Sequence, residues 1–112
     1  MKPIVVSSIE GKKIFEGYTG RFIHTEHMTF SYVSIKAGSA LPEHFHVNEQ
    51  VLNMLEGKFL LTLEGEELQL EAGMVVVIPS NAKHAGAAIT DCYILDVFYP
   101  VREEYKNLET AS

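Results

Sequence analysis

A length of 112 residues is that of a single domain with one core, so we expect residues 1–112 to form one domain. Apolar residues make up 46% of the chain, which is enough to fill that core. Fifteen acidic residues against nine basic ones give a formal charge of −6, which argues against nucleic acid and against an anionic membrane surface as partners.

The cysteine content and the N-terminal sequence indicate an intracellular protein. Cys92 is the only cysteine, which excludes an internal disulfide and any CxxC metal or redox motif. The first residues lack the long apolar core of a signal peptide, and the longest apolar run, residues 74–78, is far too short to span a bilayer. We therefore expect a cytoplasmic protein that is not embedded in a membrane.

Short runs rich in Val, Ile, Phe and Tyr follow one another along the chain, and each ends at a glycine or proline. This pattern is typical of β-strands separated by turns. It predicts an all-β domain, either a sandwich or a small barrel. In chain order, the predicted strands cover residues 3–6, 12–15, 21–24, 28–35, 50–55, 58–63, 67–70, 74–78, 84–88 and 92–99.

Two tight connections predict antiparallel pairing of the strands that they join. They are Glu56-Gly57-Lys58 and Glu64-Gly65-Glu66, both of hairpin length with a central glycine. After Pro100, only residues 101–108 have a composition that favours a helix.

The negative charge is concentrated in one segment. Residues 43–71 contain seven glutamates and one lysine, whereas the remaining residues carry eight acids and eight bases. The glutamates form either the solvated face and turns of a sheet or a carboxylate site for a cation. The neighbouring histidines, which offer neutral ligands on a separate face, favour the solvated exterior.

A cluster of metal-binding residue types begins at His44. In an extended segment His44, His46 and Gln50 project to one face and Glu49 to the other, so Glu49 is not expected to be a ligand. His84 follows the Pro79-Ser80-Asn81 turn and could approach the same point. A lone His-x-His pair is more often structural, but the four residues together suit a divalent transition ion such as Ni, Zn, Fe, Mn or Co.

Other reactive residues receive structural interpretations. His24 and His27 are three apart in a strand-like stretch and face opposite ways, so we interpret both as structural or surface residues. Cys92 is expected to be a small buried apolar residue. A GxSxG elbow and a glycine-rich phosphate loop are both absent from the sequence, which argues against the usual hydrolases and nucleotide-binding proteins.

The last predicted strand carries an acid among apolar residues. Ile94, Asp96 and Phe98 share one face, and the opposite face, from Tyr93 to Tyr99, is also apolar. Such a strand should be covered on both sides, and a second subunit is one way to cover the outer side, so we expect a homodimer. Asp96 and Arg102 form either a structural ion pair or an acid/base group beside a carboxylate clamp.

The histidine and turn spacings resemble the paired motifs of the cupin superfamily, with motif one at residues 38–57 and motif two at residues 73–88. The resemblance implies a single-domain antiparallel β-barrel, the double-stranded β-helix or jelly roll. Two positions depart from the usual motifs. Gln50 stands where motif one usually has a glutamate, and Asn81 stands where motif two usually has a glycine.

A narrower resemblance uses the first departure and the C-terminal strand. The sequences around His44 to Val51 and Leu95 to Tyr105 are similar to those of the KdgF-type pectin degradation proteins, single-domain cupins of uronate metabolism. The residues matched to that family's sites are His44, His46, Gln50 and His84 as metal ligands, and Asp96, Phe98 and Arg102 in the active site.

This resemblance implies that 4,5-unsaturated monouronates from pectin or alginate are converted into linear keto-deoxyuronates. Asp96 is then expected to transfer protons, Arg102 to hold the uronate carboxylate and Phe98 to pack against the sugar ring. The substrate would be a small anionic sugar. Two alternatives share the metal site: another metal-dependent cupin enzyme, such as a dioxygenase or sugar isomerase, and a non-catalytic cupin that binds a small molecule.

Overall fold

The computed structural model describes residues 1–111, which form ten strands and two short 3-10 helices. The helices cover Val6–Ser8 and Glu103–Asn107. The strands are β1 Lys12–Phe15, β2 Tyr18–His24, β3 Thr29–Ile35, β4 Ala40–His44, β5 Glu49–Glu56, β6 Lys58–Leu63, β7 Glu66–Glu71, β8 Val75–Ile78, β9 His84–Ala88 and β10 Cys92–Tyr99.

Two antiparallel sheets enclose the core. One has six strands in the order β1-β2-β3-β10-β5-β8, and the other has four in the order β4-β9-β6-β7. Apolar side chains that alternate along the strands fill the space between the sheets, with Ile78, Met54, Leu61 and Ile94 among the most buried. The all-β prediction is therefore confirmed, and the arrangement is that of a jelly roll.

Nine of the ten predicted strands correspond to strands of the structure, and four of them have identical bounds: 12–15, 58–63, 84–88 and 92–99. The predicted strand at residues 3–6 is wrong. Ile4 and Val5 are 59% and 63% exposed, so this apolar run has strand-like composition without the neighbouring strand that would make it one. The prediction also omitted β4, in which burial does not alternate regularly.

Only one of the two predicted hairpins forms. β6 and β7 pair antiparallel across Glu64 and Gly65, which both have positive φ angles. Gly57 instead carries the chain from β5, in the six-stranded sheet, to β6, in the four-stranded sheet. The turn at Gly57 therefore joins two layers rather than two hydrogen-bonded neighbours.

The glutamates of residues 43–71 lie outside the core. All seven are exposed, which confirms that the acidic segment forms the solvated exterior and turns. Cys92 is 5% exposed, as expected for a small buried residue. Within the described residues, no helix has the length and apolar character that crossing a membrane requires.

Candidate metal centre

The two sheets bring the predicted histidines together at one end of the molecule. β4 and β9 pair antiparallel with His44 directly opposite His84. The extended-segment argument for His46 and Gln50 is wrong in detail, because β4 ends at His44 and β5 begins at Glu49. His46 lies in the connecting loop, where its carbonyl accepts a hydrogen bond from the Asn81 backbone N–H at 2.8 Å.

The three imidazoles converge on one point. One ring nitrogen from each of His44, His46 and His84 lies within 4.8 Å of the others. The ring centroids of His44 and His84 are 4.2 Å apart, and those of His46 and His84 are 5.0 Å apart. A separation of this size allows the three nitrogens to bind a single metal ion.

Backbone carbonyls determine which nitrogen of each ring faces that point. Nδ1 of His44 lies 2.8 Å from the Pro42 oxygen, that of His84 lies 2.8 Å from the Ala82 oxygen, and that of His46 lies 3.0 Å from the Asn48 oxygen. A carbonyl can only accept, so each Nδ1 carries a proton, and in a neutral ring Nε2 then has the free lone pair. Three neutral imidazoles with oriented lone pairs form the ligand arrangement that metal-binding histidines use.

Gln50 contributes a fourth candidate ligand atom. Its Oε1 lies 3.1 Å from Nε2 of His46, and in the tautomer just described both atoms are acceptors. Two ligand atoms each about 2.1 Å from one ion and at right angles to each other lie about 3 Å apart. The His46–Gln50 separation thus fits two ligands of a shared cation, and a cation would relieve the contact between two acceptors.

Burial favours the neutral form of His46 and of His84. Burial lowers the pKa of His46, and the nearby positive charge of Arg102 lowers it further. Burial is also the main cause that lowers the pKa of His84 to about 4, against the opposing effect of its bond to the Ala82 carbonyl. Neutral imidazoles can bind a metal without first losing a proton.

Asp96 lies beside this ligand set. The side-chain amide of Gln50 donates to Asp96 Oδ1 at 2.8 Å, so one residue joins the histidines to the carboxylate. Burial raises the pKa of Asp96 to about 7, although the Gln50 hydrogen bond and the charge of Arg102 both oppose the shift. A carboxyl group with this pKa can take up and release a proton near neutral pH.

Arg102 does not form the alternative structural ion pair with Asp96. Its Nε donates to Glu104 at 2.8 Å, whereas Asp96 accepts from Gln50. The Arg102 side chain is only 11% exposed although it lies after the last strand, in an irregular part of the chain. Its charge nevertheless reaches the site, because it lowers the pKa of His46, His84 and Asp96.

Phe98 packs against the site from the protein interior. The side chain is 1% exposed, so the ring does not face open solvent in the way that stacking on a sugar requires. It meets the His46 ring edge-on at 5.6 Å and lies 4.9 Å from the guanidinium carbon of Arg102. Burial in the core thus gives Phe98 a packing role against two site residues, in place of the predicted contact with the sugar ring.

Two further residues contribute to the site and were not singled out from the sequence. Tyr105 lies in the C-terminal 3-10 helix, and its phenol accepts a hydrogen bond from Arg102 Nη1 at 2.6 Å. Asn48 is 3% exposed, and its side chain donates to the Pro100 carbonyl at 2.6 Å. A tyrosine three residues after an arginine carries no sequence signal, but an asparagine between two candidate ligands could have been recognised as part of a structured loop.

Several of these groups line a small cavity of about 50 Å³. Its lining includes the buried side chains Tyr18, Val33, Leu52, Phe59 and Leu61. Its polar lining consists of His44, Gln50, His84, Asp96, Arg102 and Tyr105.

The other two histidines do not belong to the cluster, as predicted. His24 bonds the Thr29 hydroxyl at 2.9 Å, and His27 is exposed.

A family model described as the Cupin domain matches residues 31–98. This range includes the three histidines of the candidate metal centre, Gln50, Asp96 and Phe98. The chain belongs to the cupin family. An uncharacterized protein of Methanocaldococcus jannaschii is 28% identical over 64 residues, 56% of this chain and 55% of the relative. The cupin chain therefore spans about half the length of the curated relative that it matches.

Solved structures of other cupins share the fold over nearly the whole chain. KdgF from Halomonas sp. superposes with a TM-score of 0.87 at 23% identity, covering 94% of this chain and 98% of its own. An RmlC-like cupin from Shewanella frigidimarina gives a TM-score of 0.86 at 22% identity over 91% and 93%. The polyketide cyclase RemF from Streptomyces resistomycificus gives 0.79 at 20% identity over 88% and 79%. At these identities the likeness concerns the cupin fold.

Proposed function

We propose that this cupin is a metal-dependent enzyme that opens the ring of 4,5-unsaturated monouronates to give linear keto-deoxyuronates. The observation that carries the proposal is the Gln50 side chain, which places one amide end on the histidine cluster and the other on Asp96. A neutral ligand set beside an acid/base group and a cation suits a reaction of a small anionic sugar. The sequence resemblance to the KdgF-type proteins and the shared fold of Halomonas KdgF support the same reaction.

His44, His46, His84 and Gln50 would hold the metal ion. When bound, the ion supplies positive charge that stabilises the oxygen anion formed as the ring opens. All four ligands are neutral, so the positive charge of a divalent ion would not be cancelled by its ligands.

Asp96 performs the proton transfers in this proposal. Its carboxylate removes the proton of the anomeric hydroxyl, the C1–O5 bond of the ring breaks, and C1 becomes an aldehyde while O5 remains on C5 as an enolate. Asp96 then returns the proton to C4, and C5 becomes a ketone. Substrate and product have the same atoms, so the step is an isomerisation that needs no redox partner.

Arg102 and Phe98 supply binding and shape. The Arg102 guanidinium holds the uronate carboxylate. Although the net charge of the protein is negative, Arg102 and the metal supply positive charge at the site, so an anionic substrate can bind there. Phe98 packs against His46 and Arg102 and keeps water from their inner side. The reaction uses a soluble monosaccharide, which is consistent with the cytoplasmic location expected from the sequence.

The proposal is tested by incubating the metal-loaded protein with freshly prepared unsaturated galacturonate. Loss of the ultraviolet absorbance of its enol ether should be faster than the spontaneous reaction. Asp96→Asn should lower the rate by about 100-fold or more, the usual contribution of general acid–base catalysis. The matched control is Asp91→Asn, because Asp91 is exposed and does not line the cavity that Asp96 lines, and this variant should keep the wild-type rate.

Three results would contradict the proposal. The first is an absence of acceleration by the metal-loaded protein, and the second is normal turnover by Asp96→Asn. The third is oxygen consumption by an iron-loaded sample without loss of the uronate, which would indicate a dioxygenase. If the first result is accompanied by a rise in melting temperature with a sugar acid, it would indicate the non-catalytic binding protein.

A further inference from the structure

Arg102 needs an external support that its own backbone does not provide. It follows Pro100 and precedes the 3-10 helix Glu103–Asn107, so no strand fixes its side chain. Its backbone N–H is anchored, at 3.0 Å, to the hydroxyl of Thr29, a fully buried residue. A long side chain attached at such a point could still sample many rotamers. Ordering the side chain when a carboxylate binds would then cost entropy and lower the affinity for the carboxylate.

Tyr105 makes two of the four contacts that restrict the guanidinium. Arg102 Nη1 donates to the Tyr105 phenol oxygen at 2.6 Å, and the guanidinium carbon lies 4.0 Å from the centre of the Tyr105 ring. Phe98 adds a more distant ring at 4.9 Å. Glu104 holds Nε, but its side chain is 61% exposed, so water screens this contact.

Tyr105 is itself held rigidly. Its ring meets Phe98 edge-on at 5.6 Å and Phe22 at 4.9 Å with a tilt of 44°. Burial raises the pKa of its phenol well above the ordinary value, so the phenol stays neutral and continues to accept from Arg102. A half-buried tyrosine packed between two phenylalanines is a fixed support for a cation.

We propose that Tyr105 is the positioning residue for Arg102, holding the guanidinium in the lining of the cavity so that a substrate carboxylate meets a preformed clamp. The ligand class is a small carboxylate, and this inference rests on the proposed function for the role of Arg102. Tyr105 acts through Arg102 and does not take part in the proton transfers.

The first test is Tyr105→Phe, which keeps the ring and removes the hydroxyl that accepts from Arg102. KM for unsaturated galacturonate should rise about tenfold, the effect of losing one hydrogen bond to a charged group, while kcat changes by less than about threefold. The matched control is Tyr99→Phe, because Tyr99 is 57% exposed, and its KM should equal that of the wild type. A Tyr105→Phe variant with unchanged KM would overturn the proposal, as would one in which only the melting temperature falls.

A second measurement does not depend on turnover. The metal-loaded wild type should bind saturated D-galacturonate more tightly than D-galactose. In Tyr105→Phe the ratio of the two affinities should be about tenfold smaller. If the wild type shows the preference without accelerating ring opening, and Tyr105→Phe loses the preference, the proposed reaction fails and the role of Tyr105 stands. If the wild type shows no preference, or if Tyr105→Phe retains it in full, the positioning role is refuted.

A third measurement reports on the guanidinium itself. The chain has two arginines, and Arg21 donates to the Ile9 carbonyl far along the sequence from Tyr105. Phenylglyoxal, followed by peptide mass spectrometry, should label Arg102 faster in Tyr105→Phe than in the wild type, while Arg21 is labelled at the same rate in both. Equal labelling of Arg102 in the two proteins would show that Tyr105 does not restrain it.

Discussion

Gln50 has a chemical property that a glutamate at the same position lacks. Its amide presents an acceptor to the histidine cluster and a donor to Asp96, at 3.1 and 2.8 Å. A carboxylate offers only acceptors, so it could face the metal but would repel Asp96. The departure from the usual cupin glutamate therefore follows from the need to serve two partners at once.

Gln50→Glu should separate metal binding from the proposed catalysis. The added negative charge should raise metal affinity by about tenfold or more, while loss of the donor to Asp96 should lower the ring-opening rate by at least about 100-fold. Chelator competition measures the first effect, and the ultraviolet assay measures the second.

Gln69→Glu is the matched control for this change. Gln69 is the only other glutamine and is exposed on β7, so the same substitution there should alter neither property. Undiminished turnover by Gln50→Glu would show that the hydrogen bond to Asp96 is dispensable.

At the residue scale, the sequence predicted the four candidate ligands because histidine and glutamine at motif spacing have few other interpretations. The three histidines do converge, and Gln50 joins them. Tyr105 was not predicted, because its contact with Arg102 depends on the path of the chain after β10. Asn48 was missed because its hydrogen bond reaches Pro100, a residue remote in sequence.

At the element scale, individual strands were easier to predict than their partners. β6, β9 and β10 have the predicted bounds because alternation and turn residues are local signals. The pairing across Gly57 was wrong, since a glycine turn of hairpin length does not reveal whether the chain stays in one sheet. That choice depends on how the two sheets close over the core, which is a long-range property.

The turn at Gly57 should tolerate a side chain less well than other glycine turns. A Cβ there would lie 2.2 Å from the Asp91 backbone oxygen, whereas at Gly73, which has the same φ of 92°, it would meet nothing within 4 Å. Gly73→Ala should cost about 1 kcal/mol for the backbone conformation alone. Gly57→Ala should cost about 1–3 kcal/mol more because of the clash.

Urea denaturation of the two variants measures this difference in the free energy of unfolding. Gly73→Ala is the control for backbone strain, because both glycines share one φ angle. Equal destabilisation by the two substitutions would mean that the crossing between the sheets relaxes at little cost.

At the scale of the whole molecule, the outer face of the six-stranded sheet is unusually apolar. A row of directly paired residues runs across it, formed by Ile23, Phe30, Val97, Val51 and Val77. Tyr99, at the end of β10, is 57% exposed. The sequence predicted that a second copy covers this face, and this partly exposed row is where that copy is expected to pack.

Val77→Lys should therefore convert the expected homodimer into a monomer. Val77 is 54% exposed, so the lysine fits the folded chain but places a charge in the apolar contact. Light scattering after gel filtration should give twice the chain mass of 12.5 kDa for the wild type and the single mass for the variant. Ile89→Lys is the control, because Ile89 is 50% exposed but follows β9 in the other sheet. A monomeric wild type would contradict the expectation.

The Asn48 hydrogen bonds link the two parts of the proposed site. Its carbonyl holds the His46 ring, and its side chain holds the carbonyl of Pro100, two residues before Arg102. An ion that fixes the histidine loop thus also fixes the segment that carries the carboxylate clamp. If the metal and the sugar acid bind as proposed, we expect this link to couple the two binding events, and each ligand would then raise the affinity of the other by the same factor. A cell that depletes this metal would weaken capture of the sugar acid as well as the reaction.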